Sequence, residues 1–272
     1  MASLKYIVKL ILYKPLFNAL IFLVWLAPQH SVGLAIIILT IIIRLILLPS
    51  SLNATRQQKR MRDLQPEIAE LQAKYKDDKA KQSQELMAFY KANKINPLGS
   101  CLPLLIQLPI LLVLYYVFIN GLSTARFDLL YDFMPRPDYL NTMFLGLDLA
   151  KPDKYVLPII AGVLQFFQAR QMMPQAAPAS GGGQGADMQN MISKQMMYLM
   201  PVFTVIIAMR LPAALPLYWA ITTLFAIGQQ WWVFRQKGEK LQVISKKENG
   251  AKKMPDKIVK RGVEVTVRRK TK

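Results

Sequence analysis

A charged side chain inside an apolar helix needs a chemical reason, and this sequence has one at Arg44, within the run VGLAIIILTIIIRLILL of residues 32–48. On insertion scales an arginine at the middle of a bilayer costs roughly 2.5–3.5 kcal/mol, so it faces water, a polar partner or a functional cavity. The headgroup layer is the other environment that accommodates it, because Arg44 stands about one and a half turns before Pro49, close enough to snorkel. Thr40 precedes it by four residues and shares its helical face. Further polar groups fall within other apolar runs: Gln107, Gln165, Gln168, Thr222 and Thr223, together with Tyr218. Singly, each is an interhelical hydrogen-bonding contact. Gathered around Arg44 they would line one wet pocket, and the cation there would attract acidic groups.

Covalent chemistry lacks its residues. Cys101 is the single cysteine and His30 the single histidine, so no internal disulfide forms and no soft-ligand set for zinc or an iron–sulfur cluster exists. No G-x-x-x-x-G-K-[ST] loop, G-x-S-x-G elbow or H-E-x-x-H helix is present, which leaves nucleotide hydrolysis, esterase chemistry and zinc proteolysis without their groups. The expectation is a protein that is not an enzyme and holds no metal or cofactor.

The elements that would position these residues follow from hydropathy and charge. Apolar residues make up 53% of the chain, yet it carries 35 Lys and Arg against 16 Asp and Glu, a combination that suits a membrane protein rather than one soluble domain. Five core spans are expected, at 32–52, 97–119, 155–172, 195–211 and 212–234, giving an all-α polytopic fold. Residues 1–31 are apolar but interrupted by Lys5, Lys9 and Lys14, and the run from Leu16 to Ala27 after Pro15 is too short to cross unaided. Three placements fit it: an amphipathic helix at the outer interface, a short first span that includes residues 10–14, or a signal peptide, against which counts the lack of an A-x-A-like site.

Between the first two spans, residues 53–96 are polar and place Met61, Leu64, Ile68, Leu71 and Tyr75 at helical steps. Asp77 and Asp78 then make a turn, and Leu86, Phe89 and Tyr90 share one face beyond it. This predicts a helical hairpin whose first arm is kinked or restarted at Pro66. Residues 120–154 read as a loop, 173–194 as a flexible loop from its PQAAPASGGGQGAD stretch, and 235–272 as a basic tail. The hairpin holds ten Lys and Arg whereas the 120–154 loop holds only Arg126, Arg136, Lys151 and Lys154, so the positive-inside rule puts hairpin and tail in the cytoplasm and that loop outside. The tail's cations suit a polyanion, either ribosomal RNA or anionic lipid headgroups. Met196, Met197, Met200 and Met209 crowd the fourth span, as core packing or as a surface that adapts to irregular apolar partners.

The stretch LQPEIAELQAKYKDDKAKQSQELMAFYKANKINPLGSCLPLLIQLPILLVLYY closely resembles the hairpin and following span of the YidC/Oxa insertase family. KPLFNAL, the T-x-x-x-R spacing of Thr40 and Arg44, and MPVFTVIIAMRLPAALPLYW match it as well, so the resemblance covers residues 14–237. It implies a five-helix core around a hydrophilic groove that opens to the cytoplasm and sideways to lipid, in the bacterial inner membrane. The family's groove arginine falls on Arg44 and its polar groove positions on Thr40, Gln107 and Tyr218, with Trp219 beside the last. A sliding face for the substrate helix would include Leu105, Leu108, Met200 and Phe203. Implied partners are nascent membrane proteins, the ribosome and the Sec translocon. The large periplasmic domain and extra signal-anchor span of Gram-negative members are missing, so the resemblance is to the compact forms. A small solute transporter or channel, or a structural subunit of a membrane complex, would also use polar groups in broken helices, but neither accounts for the hairpin.

Overall fold

A computed structural model describes residues 9–93, 95, 102–121, 129–173 and 184–236. The chain is helical apart from one two-stranded sheet. A π-helical turn at Lys9–Tyr13 leads into α1 (Lys14–Leu26), where Pro15 occupies the first turn and needs no intrahelical donor. The chain then passes through a 3-10 turn at Pro28–His30, in which Gln29 and His30 both take positive φ (54° and 51°). It enters α2 (Val32–Ile46), with Ser31 accepting from the Leu34 amide as N-cap.

The pairing of α1 with α2 is written in their periodicity. Phe17, Leu20, Ile21 and Val24 of α1 are fully buried, as are Val32, Ala35 and Ile36 of α2, while Leu39 is nearly so. Both sets step by three and four residues, so each helix presents one stripe to the shared cluster. The other face of α2 carries Leu34, Ile38, Ile41, Ile42, Leu45 and Ile46, all exposed.

At Leu47 the chain bends by 69° into α3 (Leu48–Asp63). Pro49, in the first turn of α3, cannot donate back to α2, which makes this the place where the helix breaks. Pro66 does the same at the start of α4 (Gln65–Lys74), and Asp78 caps α5 (Lys79–Ala92) by accepting from Lys81 N at 2.9 Å. A small core of Leu64, Ile68 and Ile95 with Met61, Leu86, Phe89 and Tyr90 joins the two arms. Leu71 and Tyr75, expected on that face, stand outside this cluster; Tyr75 follows the end of the first arm at Lys74.

The remaining helices are α6 (Leu102–Gly121), α7 (Val156–Met172), α8 (Gln184–Ala208) and α9 (Ala214–Arg235). Residues 97–101 and 237–272, assigned from sequence to the second span and the tail, lie outside the described residues. Helix α8 starts at Gln184, inside the interval expected to be loop: after the glycines, Ala186, Met188, Gln189 and Met191 favour helix. The loop of 120–154 also contains regular structure, since β1 (Met143–Phe144) pairs antiparallel with β2 (Leu147–Asp148). Leu145 and Gly146 form its turn with φ of 49° and 80°.

This segment stitches one end of the bundle. Val32 N donates to Asn141 O at 2.9 Å and Asn141 N to His30 O at 3.1 Å; Ala213 N and Ala214 N donate to Lys151 O and Leu149 O. Asp153 accepts from the Tyr155, Val156 and Leu157 amides and so caps α7. Earlier in the segment, Asn18, buried on α1, donates to Leu129 O at 3.1 Å and accepts from Tyr131 N at 2.8 Å, while Lys14 lies over the Tyr131 ring. The segment from Leu129 to Asn141 therefore holds the start of α1 and the turn that joins α1 to α2. Among the described residues no single helix is long and apolar enough to cross a membrane; the bent pair α2–α3 passes that test jointly.

Helix α9 packs most extensively on α7, then on α2 and α3; α8 packs on α7 and on α4; α6 touches α9, α1 and α3. Gly162 permits the α7–α8 contact, because a Cβ there would stand 2.4 Å from a Val205 methyl carbon.

Candidate functional site

Three helices deliver the central group. Arg44 lies in the last turn of α2, Gln107 in the first half of α6, and Tyr218 near the start of α9. Arg44 Nη2 donates to Gln107 Oε1 at 3.1 Å, and Gln107 Nε2 donates to Tyr218 Oη. The amide orientation follows from its neighbours: a guanidinium can only donate, so the amide oxygen turns to it and the amide nitrogen to the phenol. Tyr218 is 3% exposed, whereas Arg44 is half-buried and, among the described residues, spends one N–H donor on Gln107.

Among the described residues no acid pairs with this charge. Asp and Glu are absent from residues 1–62, 86–127, 154–186 and 188–238, and the acids Asp63 and Asp148 pair with Arg62 and Lys151 rather than with Arg44. Arg44 thus presents a cation tethered by neutral groups, an arrangement that suits a carboxylate arriving from outside the chain.

The other expected site residues are placed differently. Thr40 shares a helical face with Arg44 but is buried, and its Oγ1 donates at 2.6 Å to Ile36 O of its own helix, outside the Arg44–Gln107–Tyr218 chain. Trp219, one residue past Tyr218, points about 100° further around α9 and is half-exposed. Met200 and Phe203 lie on the outer side of α8, 44% and 59% exposed. Leu105 and Leu108 lie on α6, but their side chains are outside the described set. Thr222 and Thr223 are buried on α9, and Gln165 on α7 has a buried Oε1 without a hydrogen-bond partner.

A second polar group was not foreseen from the sequence. Gln229 of α9 reaches α3, where its Oε1 meets Ser51 Oγ at 3.0 Å and its Nε2 donates to Thr55 Oγ1 at 2.9 Å. Gln229 follows Tyr218 by eleven residues, three turns on one face, so the two polar groups stand about 16 Å apart along α9. That spacing was the available signal; the partner on α3 was not visible, because it depends on the bend at Leu47.

Comparison with known proteins identifies the family. A family model described as 60Kd inner membrane protein matches residues 25–240. Membrane protein insertase YidC of Fusobacterium nucleatum is 37% identical over 205 residues, covering 75% of this chain and 86% of the relative. The YidC of Clostridium tetani is 39% identical over 204 residues (74% and 81%), and the insertase MisCA of Bacillus subtilis 38% over 202 residues (72% and 68%). With most of its length matched by the family model and by relatives of comparable size, the chain belongs to the 60Kd inner membrane protein family, the YidC/Oxa group that its hairpin and its T-x-x-x-R spacing resemble.

Proposed function

We propose that this protein is a membrane protein insertase of the bacterial inner membrane, which accepts the polar segment of a nascent membrane protein at Arg44 and releases the adjoining apolar helix sideways into lipid. The observation that carries this reading is a half-buried guanidinium bonded to Gln107, which Tyr218 in turn orients, with no acid of the described chain to neutralise it.

In this reading α2, α6, α7, α8 and α9 are the five core spans, while hairpin and tail are cytoplasmic as the positive-inside rule requires. The exposed aliphatics of α2 suit lipid contact, since an apolar face of that size is not stable in water. Helix α2 has 15 residues and is about 22 Å long, short of the ~30 Å hydrocarbon core, and such a mismatch is met by local thinning of the bilayer. Helix α1 lies along the outer interface: its first turns and the 3-10 turn that follows it are bonded to the segment from Leu129 to Asn141, and that segment carries Asp132, Arg136 and Asp138, which would not follow α1 across a bilayer.

A polar segment faces a cost for every unpaired group it brings into hydrocarbon. The group around Arg44, Gln107 and Tyr218 gives it hydrogen-bonding partners and water over part of the path, and Arg44 attracts its acids. Helices α6 and α8 flank this track. The outward Met200 and Phe203, with Leu105 and Leu108 of α6, would form the surface along which the substrate helix slides. Partitioning of that helix into lipid supplies the driving force, and the membrane potential contributes about 2.3 kcal/mol per charge per 100 mV for suitably charged segments. The tail and hairpin would hold the ribosome, and anionic lipid and the Sec translocon are the remaining expected partners.

Proteoliposomes containing the purified chain should insert a small single-span substrate without nucleotide and leave encapsulated labelled solutes in place. Solute release without insertion would replace this reading with a channel.

A further inference from the structure

Helix α3 is more than the connector between α2 and the hairpin. Ser51, Thr55, Lys59 and Arg62 recur at steps of four, four and three, so they form one stripe along it. The first two bond Gln229, as described. Lys59 Nζ donates to Val233 O at 3.3 Å and to Gln236 O, the carbonyls that close α9. Arg62 donates from Nη1 to Gln171 O at 3.2 Å, in the last turn of α7, and its guanidinium lies 4.3 Å from the centroid of the Phe234 ring of α9. Arg62 Nη2 also pairs with the neighbouring Asp63 at 3.3 Å.

Two cations of one helix thus close the carbonyl ends of two others. The last four carbonyls of a helix have no partner within it, and its C-terminus carries about half a negative charge. Where such ends meet the bilayer boundary, water is scarce and a cation is an effective cap. The chain places both caps on the helix that continues from Arg44 across the Leu47 bend.

We infer that Lys59 and Arg62 are positioning residues: the α3 stripe is a fixed clamp that holds the ends of α7 and α9 together, keeps the seam between α3 and α9 closed during insertion, and so leaves the opening to the α6 and α8 side. This goes beyond the insertase reading, and its first test does not depend on insertion.

In the full-length Cys101→Ser protein in proteoliposomes, Val233→Cys reports the clamp, because Val233 is 1% exposed beside the Lys59 contact. Lys59→Met with Arg62→Met should speed maleimide labelling of that cysteine about tenfold, the effect of losing a favourable cap. Lys59→Arg with native Arg62 should label slowly, and a cysteine at the distant Leu149 should not respond to any of these changes. Labelling unaltered by the double change, or equally raised at both reporters, would overturn the clamp. A second arm keeps both cations: Gln58→Cys and Gln236→Cys joined by a flexible bismaleimide. The linked protein should insert substrate within about twofold of the unlinked one, whereas failure to link, or arrest of insertion by the link, refutes a seam that stays closed.

Discussion

Replacing Arg44 with alanine separates a working charge from a snorkelling one. The replacement removes one hydrogen bond to Gln107 and a cation with no acidic partner in the described chain. The lost hydrogen bond costs about 1–2 kcal/mol of stability, and that cost falls on every substrate alike. Loss of the charge falls only on acidic ones. A carboxylate 4 Å from a guanidinium gains about 1 kcal/mol in bulk water and about 4 at the effective dielectric of a protein surface. Arg44 is half-buried, so a value near 1–2 kcal/mol applies, which corresponds to roughly a five- to thirtyfold slower insertion of an acidic tail relative to a matched neutral one. Arg44→Lys should retain most of the preference, since charge survives without the planar fork. Gln107→Leu should lower insertion of both tails without altering their ratio. The assay is the initial rate of insertion of the two substrates into proteoliposomes containing equal amounts of each variant. Equal rates for wild type and Arg44→Ala on both tails would refute the charge argument.

Four other outcomes are expected. Single cysteines at Lys79 and at Asp138 should label from the cytoplasmic and the external side respectively, and external labelling at Lys79 would invert the topology. Gly33→Ala should lower thermal stability by about 1–3 kcal/mol, because its Cβ would stand 2.2 Å from Phe144 Cγ; Phe144→Ala in the same chain should recover much of that loss. Asp148 is held below the ordinary aspartate value by its hydrogen bonds to Lys151 and Thr142, so its small contribution to stability is present at neutral pH. The gap in melting temperature between wild type and Asp148→Asn should therefore close as pH falls below 3.8, the reference value for a free aspartate. Truncation after Lys237 should weaken co-sedimentation with ribosomes at low salt, and unchanged binding would remove the tail from the reading.

What the sequence discloses well is what local physics decides. Pro49 and Pro66 mark helix starts because a residue without an N–H fits a first turn at no cost, although Pro109 and Pro201 stand inside α6 and α8, and the 61–64–68 and 86–89–90 patterns meet because each needs a partner face. Loop composition was a weaker guide. The PQAAPASGGGQGAD stretch suggested one flexible unit up to residue 194, yet helix resumes at Gln184, where residues that favour helix follow the glycines. Within 120–154 the strands are only two residues each, too short for a period-two signal, so they could not be read in advance.

The site divides along the same line. Arg44, Gln107 and Tyr218 could each be singled out because a polar group in an apolar helix is conspicuous by itself, whereas their contact is a long-range fact. Thr40 illustrates the limit of face-sharing arguments: spacing put it beside Arg44, but a threonine in a helix can satisfy its hydroxyl on the carbonyl four residues earlier, and Thr40 does so at Ile36. The α3 stripe illustrates the converse. Its lysine and arginine look like two more members of a basic hairpin, and in a count of charges they serve only to orient the chain. A bend of 69° at Leu47 turns that stripe toward the carbonyl ends of α7 and α9. In the proposed orientation the cations that count toward the positive-inside bias would also cap the ends of two helices, so a neutral substitution at Lys59 should disturb packing where one at the exposed Arg56 would not.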